Sequence, residues 1–213
     1  MTEAVRKTQT GSNSGQRFSA RYVAFVGVFG AIAAVLMYLE FPLPFAPAFY
    51  KLDFSEVPVL IGTFSLGPLA GVLIEFIKIL LHFIIKGTQT AGVGEIANFA
   101  VGCAMILPAG IIYRLHKTKK NALIGMAAGT LVMAFAGAFF NAFVVLPAYA
   151  KAFQMPIEAL VEMGTKVNPS ITSLFTFVLL AVVPFNLVKG VLVSFVTWLL
   201  YKRVSGFIHR AAG

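Results

Sequence analysis

Two polar residues interrupt the last long apolar stretch of the sequence. Asn186 and Lys189 lie within residues 174–201, a run of 28 mostly apolar residues. They are three apart, so on a helix they share one face. A lysine at the centre of a membrane helix costs roughly 2.5–3.5 kcal/mol. The pair is therefore expected to point into the protein, towards a group that it can hydrogen-bond.

Further polar residues occur in the two preceding apolar stretches. Asn141 lies in one of them, and Glu95 and Asn98 share a face at the start of the other. An asparagine amide offers a donor and an acceptor together, which matches a ring edge of alternating C=O and N–H groups. Lysine adds a positive donor, and the 21 Phe and 6 Tyr residues could sandwich a flat ring. The pattern predicts a cavity for a flat heteroaromatic ring with imide-like edges.

A second polar set has two interpretations. Glu75, Lys78 and His82 fall on one face of a helix, where they could form a proton relay or a mutually satisfied ion pair facing other helices. We favour the ion pair. The three His residues are too scattered to predict a metal site, and the single Cys103 is interpreted as a packing residue.

The composition indicates an all-α integral membrane protein. Hydrophobic residues make up 59% of the chain and charged residues only 12%, too few to cover a water-facing surface. The net charge of +9 comes from basic residues in short tails and loops beside apolar runs, which is typical of a cytoplasmic membrane face and not of a nucleic-acid partner. We expect a multi-pass membrane protein.

The positive-inside rule selects the number of spans. Residues 54–85 are broken by Gly67-Pro68, a turn signal, so they are predicted to form two spans. The other spans are predicted at 20–39, 93–112, 122–148 and 174–201. Six spans gather most basic residues on the side of both termini, which is then cytoplasmic. These residues are Arg6, Lys7, Arg17, Arg21, Arg114, Lys117, Lys119, Lys120, Lys202, Arg203 and Arg210. Residues 1–19 are expected to be a mobile cytoplasmic tail, and residues 20–210 a single six-helix domain.

Two loops and one helix face have predicted roles. Pro42, Pro44 and Pro47 exclude a regular helix from residues 41–51, so backbone groups there are free to bond a ligand. The loop at 149–170 is predicted to carry a short surface helix from Ile157, and residues 168–170 to cap the last span. Small residues recur along the first span and would let another helix approach closely; they include Ala24, Gly27, Ala31 and Ala34.

Several function classes lack their motifs. The sequence contains no G-x-x-x-x-G-K-[ST], H-E-x-x-H, C-x-x-C or G-x-S-x-G, so we expect neither ATP hydrolysis by this chain nor an enzyme. An import function would need energy from elsewhere. Two rivals stay open: a proton-coupled carrier using Glu75, Lys78, His82 and Glu95, and a membrane enzyme acting on a lipid or quinone.

Four motifs resemble those of a known family, the substrate-binding S components of energy-coupling-factor (ECF) vitamin transporters. Within it the resemblance is to the riboflavin-specific type, although an S component for another vitamin remains an alternative. The motifs are residues 30–37 continuing into 40–44, Leu52 to Pro58, Leu66-Gly67-Pro68, and Pro184 to Gly190.

The resemblance implies a location in a bacterial plasma membrane, a ligand, a site and partners. Riboflavin or a related flavin such as FMN would be the transported ligand, with no cofactor. It would occupy an outward-facing pocket formed by the loop after helix 1 and by helices 4–6. The implied ligand-binding residues are Asn141, Asn186, Lys189, Asn98, Glu95, Phe45, Ala48, Lys51 and Leu52. The small residues of the first span would dock on a membrane scaffold (T) subunit that binds two cytoplasmic ATPases.

Overall fold

The computed structural model describes residues 19–88 and 91–212, with side chains described as far as Tyr201. The predicted mobile tail therefore lies, except for Ser19, outside the described residues. The helices are α1 Ala20–Tyr38, α2 Glu56–Leu66, α3 Pro68–Lys86, α4 Val93–Leu115, α5 Lys119–Phe140, α6 Leu146–Ala152, α7 Ile157–Thr165, α8 Leu174–Phe177 and α9 Val183–Ala212. Two short strands, β1 Phe41–Pro42 and β2 Lys51–Leu52, pair antiparallel and close the loop after α1.

Among the described residues, five helical segments are long and apolar enough to cross a membrane. They correspond to predicted spans one, three, four, five and six. The remaining predicted span is the 11-residue α2, whose length of about 16 Å is roughly half of a bilayer's hydrocarbon thickness. The structure thus has the predicted apolar helices, with one much shorter than the others.

Local signals set several helix boundaries. Gly67 ends α2 at φ 106°, and α3 begins at Pro68, so the predicted turn is confirmed. Pro156 directly precedes α7, which begins at Ile157, the residue predicted to start the short surface helix. The last span, however, is not capped by residues 168–170. Ser173, which lies directly before the first helical turn, caps α8 instead. Its Oγ accepts a hydrogen bond from the Thr176 backbone N–H, and Thr176 Oγ1 accepts one from the Ser173 backbone N–H.

Two of the long helices contain a single π-helical turn. Residues Asn141–Val145 join α5 to α6, and residues Val178–Val182 join α8 to α9. A π turn shifts the backbone hydrogen-bond register by one residue, and such turns are frequent at functional sites. Both occur near the asparagines that the sequence had marked.

The short helix α2 is enclosed by the bundle. Every residue from Glu56 to Phe64 is buried, and α2 packs against α1, α3, α4 and α9. The chain reaches it through the β1–β2 loop, which descends into the protein before the helix starts. Because protein surrounds Leu52, Asp53 and Ser55, which are buried, the backbone polar groups just before α2 are not presented to lipid.

Candidate ligand-binding site

A cavity of about 200 Å³ lies between the β1–β2 loop, α4, α5 with its π turn, and α9. We call this the inner cavity. It adjoins an outer cavity of about 380 Å³ at the end of the bundle where α1 and α3 finish. Glu40, Lys51, Asn98 and Tyr149 line both. The two volumes together match the size range of small-molecule sites. They lie at the opposite end of the bundle from the α4–α5 connection.

Lys189 lines the inner cavity as half of a buried ion pair. Its Nζ lies 2.9 Å from Oδ2 of Asp53, and both side chains are buried. The other carboxylate oxygen, Oδ1, accepts a hydrogen bond of 2.8 Å from the Ser55 backbone N–H at the start of α2. Asp53 thereby holds the ammonium at the cavity wall and offsets part of the cost of burying it.

Asn141 and Asn186 line the same cavity from two different helices. The Nδ2 of Asn141 donates to the Gly137 carbonyl at 2.7 Å, and its Oδ1 accepts from the Tyr50 hydroxyl at 2.6 Å. The Nδ2 of Asn186 donates to the Val182 carbonyl at 2.9 Å. Each amide has four hydrogen-bonding positions, so both keep capacity for a ligand.

Two glycines give the polar side chains room. A Cβ on Gly137 would lie 2.7 Å from Nδ2 of Asn186, so any larger residue would displace that amide. Gly102 lines the cavity from α4, and a Cβ there would lie 2.3 Å from Oε1 of Glu75.

Aromatic rings form part of the wall. Phe49, Tyr50, Tyr149 and Phe185 all line the inner cavity. Tyr50 contacts Phe49 and Phe185 at ring-centroid distances of 4.8 and 5.4 Å. Burial, with a smaller contribution from Tyr149, raises the pKa of the Tyr50 phenol well above its ordinary value, so its hydroxyl donates to Asn141 as a neutral group.

Ion pairs connect the loop to the bundle at the cavity mouth. Lys51 Nζ lies 2.9 Å from Oε1 of Glu40, and Lys86 at the end of α3 pairs with the same oxygen. Burial opposes ionisation of Glu40, but the two lysines outweigh it and hold its pKa below the ordinary value. Glu40 is thus ionised at neutral pH and joins the loop to α3.

The other sequence-predicted site residues fall in several places. Asn98 lines both cavities, whereas Glu95 lines the outer one and accepts a 3.1 Å hydrogen bond from Thr88 Oγ1. Phe45 and Ala48 are exposed on the loop and line neither cavity. Leu52 is fully buried, packing with the core group of Ala46 and Phe185.

Glu75 and Lys78 pair as expected, and α2 adds a third member. Lys78 Nζ lies 2.6 Å from Oε1 of Glu75 and 2.8 Å from Oε1 of Glu56, with all three side chains buried. His82 lies apart from this cluster and lines the outer cavity. The arrangement matches the ion-pair interpretation better than a relay running along one helix face.

The small residues of α1 divide into two sets. Ala24 and Ala31 are exposed, and a Cβ on Gly27 would meet nothing within 4 Å. Ala34 is buried in the core. Three of the four predicted docking residues therefore lie on an outer face that no described residue covers.

Sequence reasoning missed Asp53, Tyr50 and Glu40 as site residues. Asp53 carried two usable signals: it is one of only eight acidic residues, and it lies in the motif from Leu52 to Pro58. Glu40 was marked only by its place in the motif of residues 40–44. Tyr50 carried no signal, since an aromatic residue in a loop is ordinary at a protein surface.

Comparison with known proteins gives a consistent assignment. Residues 21–201 match the family described as "ECF transporter, substrate-specific component". The riboflavin transporter RibU of Staphylococcus aureus is 34% identical over 87% of this chain and 90% of its own length. The riboflavin transporter FmnP of Bacillus subtilis is 34% identical over 87% and 92%.

A solved structure agrees with these sequence matches. It is described as the S component of a bacterial ECF transporter, and superimposes with a TM-score of 0.68 at 32% identity, covering 88% of this chain and 97% of the other. With a family match over most of its length and relatives above 30% identity, the chain belongs to the substrate-specific components of ECF transporters.

Proposed function

We propose that this chain is the riboflavin-binding S component of an ATP-driven ECF importer. The observation that carries the proposal is the cavity in which Asn141, Asn186 and Lys189 meet from two helices beside aromatic side chains. Relatives named as riboflavin transporters supply the ligand class.

In this proposal the isoalloxazine ring enters the inner cavity edge first. Its carbonyl and N–H groups exchange hydrogen bonds with the two asparagine amides, and Lys189 donates to a carbonyl or ring nitrogen. The aromatic wall covers the faces of the ring. The ribityl chain then lies in the outer cavity, where Glu40, Lys51 and Asn98 offer polar contacts.

The orientation follows from charge. The tail, the α4–α5 connection and the C-terminus carry most of the basic residues, so this end faces the cytoplasm under the positive-inside rule. The cavities at the opposite end then open outward. The sixth crossing of the membrane is made by α2, which is about half as long as the hydrocarbon core is thick, together with the loop that leads into it.

The chain binds and carries its ligand without catalysing a reaction. A scaffold subunit docks against Ala24, Gly27 and Ala31, and two cytoplasmic ATPases supply the energy, which fits the lack of a phosphate-binding loop motif in the sequence. Phe45, Ala48 and Leu52 do not line the cavities and act instead by shaping the loop that closes over the ligand.

Titration of the purified, detergent-solubilised chain with riboflavin tests the proposal. The protein should bind riboflavin and co-purify with a ligand that has a flavin absorbance spectrum. Asn186→Ala should weaken binding by about 1–3 kcal/mol, because a buried polar partner on the flavin is left unsatisfied. Asn121→Ala, an asparagine at the other end of the bundle, is the matched control. A colourless protein that does not bind riboflavin would refute the ligand assignment.

A further inference from the structure

A groove between α5 and α9 lies on the outside of the bundle, away from the ligand cavities. It has a volume of about 620 Å³ and is lined by apolar side chains of both helices. The lining includes Leu123, Ala127, Leu131, Val191, Phe195 and Trp198. A lone polar contact lies in it, with Thr130 Oγ1 and Ser194 Oγ 3.5 Å apart. We call this the α5–α9 groove.

The groove continues into a smaller cavity at the basic end of the bundle. This cavity of about 250 Å³ shares Met126 and Trp198 with the groove and is also lined by Lys119 and Thr197. Thr197 is fully buried, and its Oγ1 has no hydrogen-bond partner among the described residues. A buried unsatisfied hydroxyl costs about 1–3 kcal/mol, which a bound oxygen acceptor would remove.

Among the described residues, the charged side chains around the α4–α5 connection are all basic. Arg114, Lys117, Lys119 and Lys120 are all exposed around the α4–α5 connection. The sequence has no Asp or Glu between Ile96 and Ile157, and none after Glu162. These cations therefore lack acidic partners nearby on the chain, and an anion would complement them.

The length of the groove and its apolar lining indicate which kind of molecule would occupy it. From Lys119 in the smaller cavity to Leu131 in the groove, the two together run about 18 Å along α5. This is close to the depth of one leaflet, about half of a 30 Å hydrocarbon core. A partner's spanning helix would need a groove through both leaflets. A single acyl chain with an anionic head group fits the length, the apolar lining and the basic end.

We propose that the α5–α9 groove is a specific site for one anionic phospholipid. One acyl chain lies along the groove, and the phosphate lies near Lys119 and Lys120, where Thr197 can donate to a lipid oxygen. The site is separate from the ligand cavities, and the proposal holds whichever vitamin the chain carries.

Native mass spectrometry of the detergent-solubilised full chain tests this, with equal amounts of phosphatidylglycerol and phosphatidylcholine of the same acyl chains. We expect one retained lipid per chain, with phosphatidylglycerol favoured about fivefold or more. Ala127→Trp should fill the groove and abolish retention, while Val132→Trp, exposed about 140° around the same helix from Ala127, should not. Lys119→Gln with Lys120→Gln should bring the two lipids close to parity, while Lys166→Gln at the other end should not.

Thermal unfolding in detergent, measured on every variant, reports whether each is folded without depending on the transported ligand. Should Ala127→Trp fail to fold, the lysine variants decide by themselves. Equal retention of both lipids by the unaltered chain, or no retention, would overturn the proposal. So would unchanged lipid binding in Ala127→Trp with loss of assembly on the scaffold, because the groove would then hold a protein partner.

Discussion

At the scale of single residues, the site depends on where hydrogen-bonding groups are held. Asn141 is fixed by Gly137 and Tyr50, Asn186 by Val182, and Lys189 by Asp53. Each keeps some capacity for a ligand. A preorganised polar wall costs little rearrangement on binding, which favours high affinity.

Gly137→Ala should weaken riboflavin binding although it removes no polar group. The new Cβ would lie 2.7 Å from Nδ2 of Asn186 and would push that amide out of place. A loss of about 1–3 kcal/mol in binding free energy is expected, as for an unsatisfied buried partner. Isothermal titration measures it.

Gly27→Ala is the matched control, because a Cβ there meets nothing within 4 Å. Equal riboflavin affinities for the two variants would show that Asn186 does not contact the ligand.

Lys189→Met should lower both stability and riboflavin binding. It leaves the Asp53 carboxylate buried and unpaired, and breaking a buried pair costs about 3–5 kcal/mol of unfolding free energy. Adding Asp53→Asn removes the unpaired charge, so the double variant should regain thermal stability without regaining affinity. Thermal unfolding in detergent and riboflavin titration separate the two effects. Recovery of both properties would assign Lys189 a structural role alone.

At the scale of elements, the β1–β2 loop and α2 form one unit around the cavity. The loop supplies Tyr50 and Lys51, and Asp53 lies three residues before the start of α2. Glu40 connects the loop base to α3 through Lys51 and Lys86. The short α2 lets this segment descend to the level of Lys189, which a full-length span would prevent.

The outer face of α1 gives a prediction at this scale. Gly27→Trp should abolish ATP-driven uptake while leaving riboflavin binding unchanged, because the new side chain projects into open space and would block a partner helix. Uptake by cells and titration of the purified variant provide the two measurements.

Ile32→Trp serves as the control, since Ile32 is exposed and lies about 140° around the same helix from Gly27. If Gly27→Trp lost binding and uptake together, the small residues of α1 would belong to the internal packing.

At the scale of the whole molecule, the chain is expected to require partners for transport. In proteoliposomes it should take up no riboflavin under an imposed pH gradient, and uptake should appear only with the scaffold, the ATPases and ATP. The physical reason is that Glu75 and Lys78 are enclosed in the core with Glu56 and are not placed along a path. Uptake by the chain alone, lost in Glu75→Gln, would support the proton-coupled carrier instead.

The sequence by itself determined the membrane class, the helices and the polar residues that face inward. These follow from local quantities: the length of apolar runs, the turn at Gly67-Pro68 and helical spacing. The positions of Asn141, Asn186 and Lys189 along their helices were readable for the same reason.

Only the tertiary structure decided how these residues are partnered. Asp53 lies 136 residues from Lys189 in the chain, and Tyr50 lies 91 residues from Asn141. Such pairs depend on which helices pack together and on how far the loop descends, and no local pattern contains that information. The half length of α2, the π turns and the hollow itself arise from the same long-range packing.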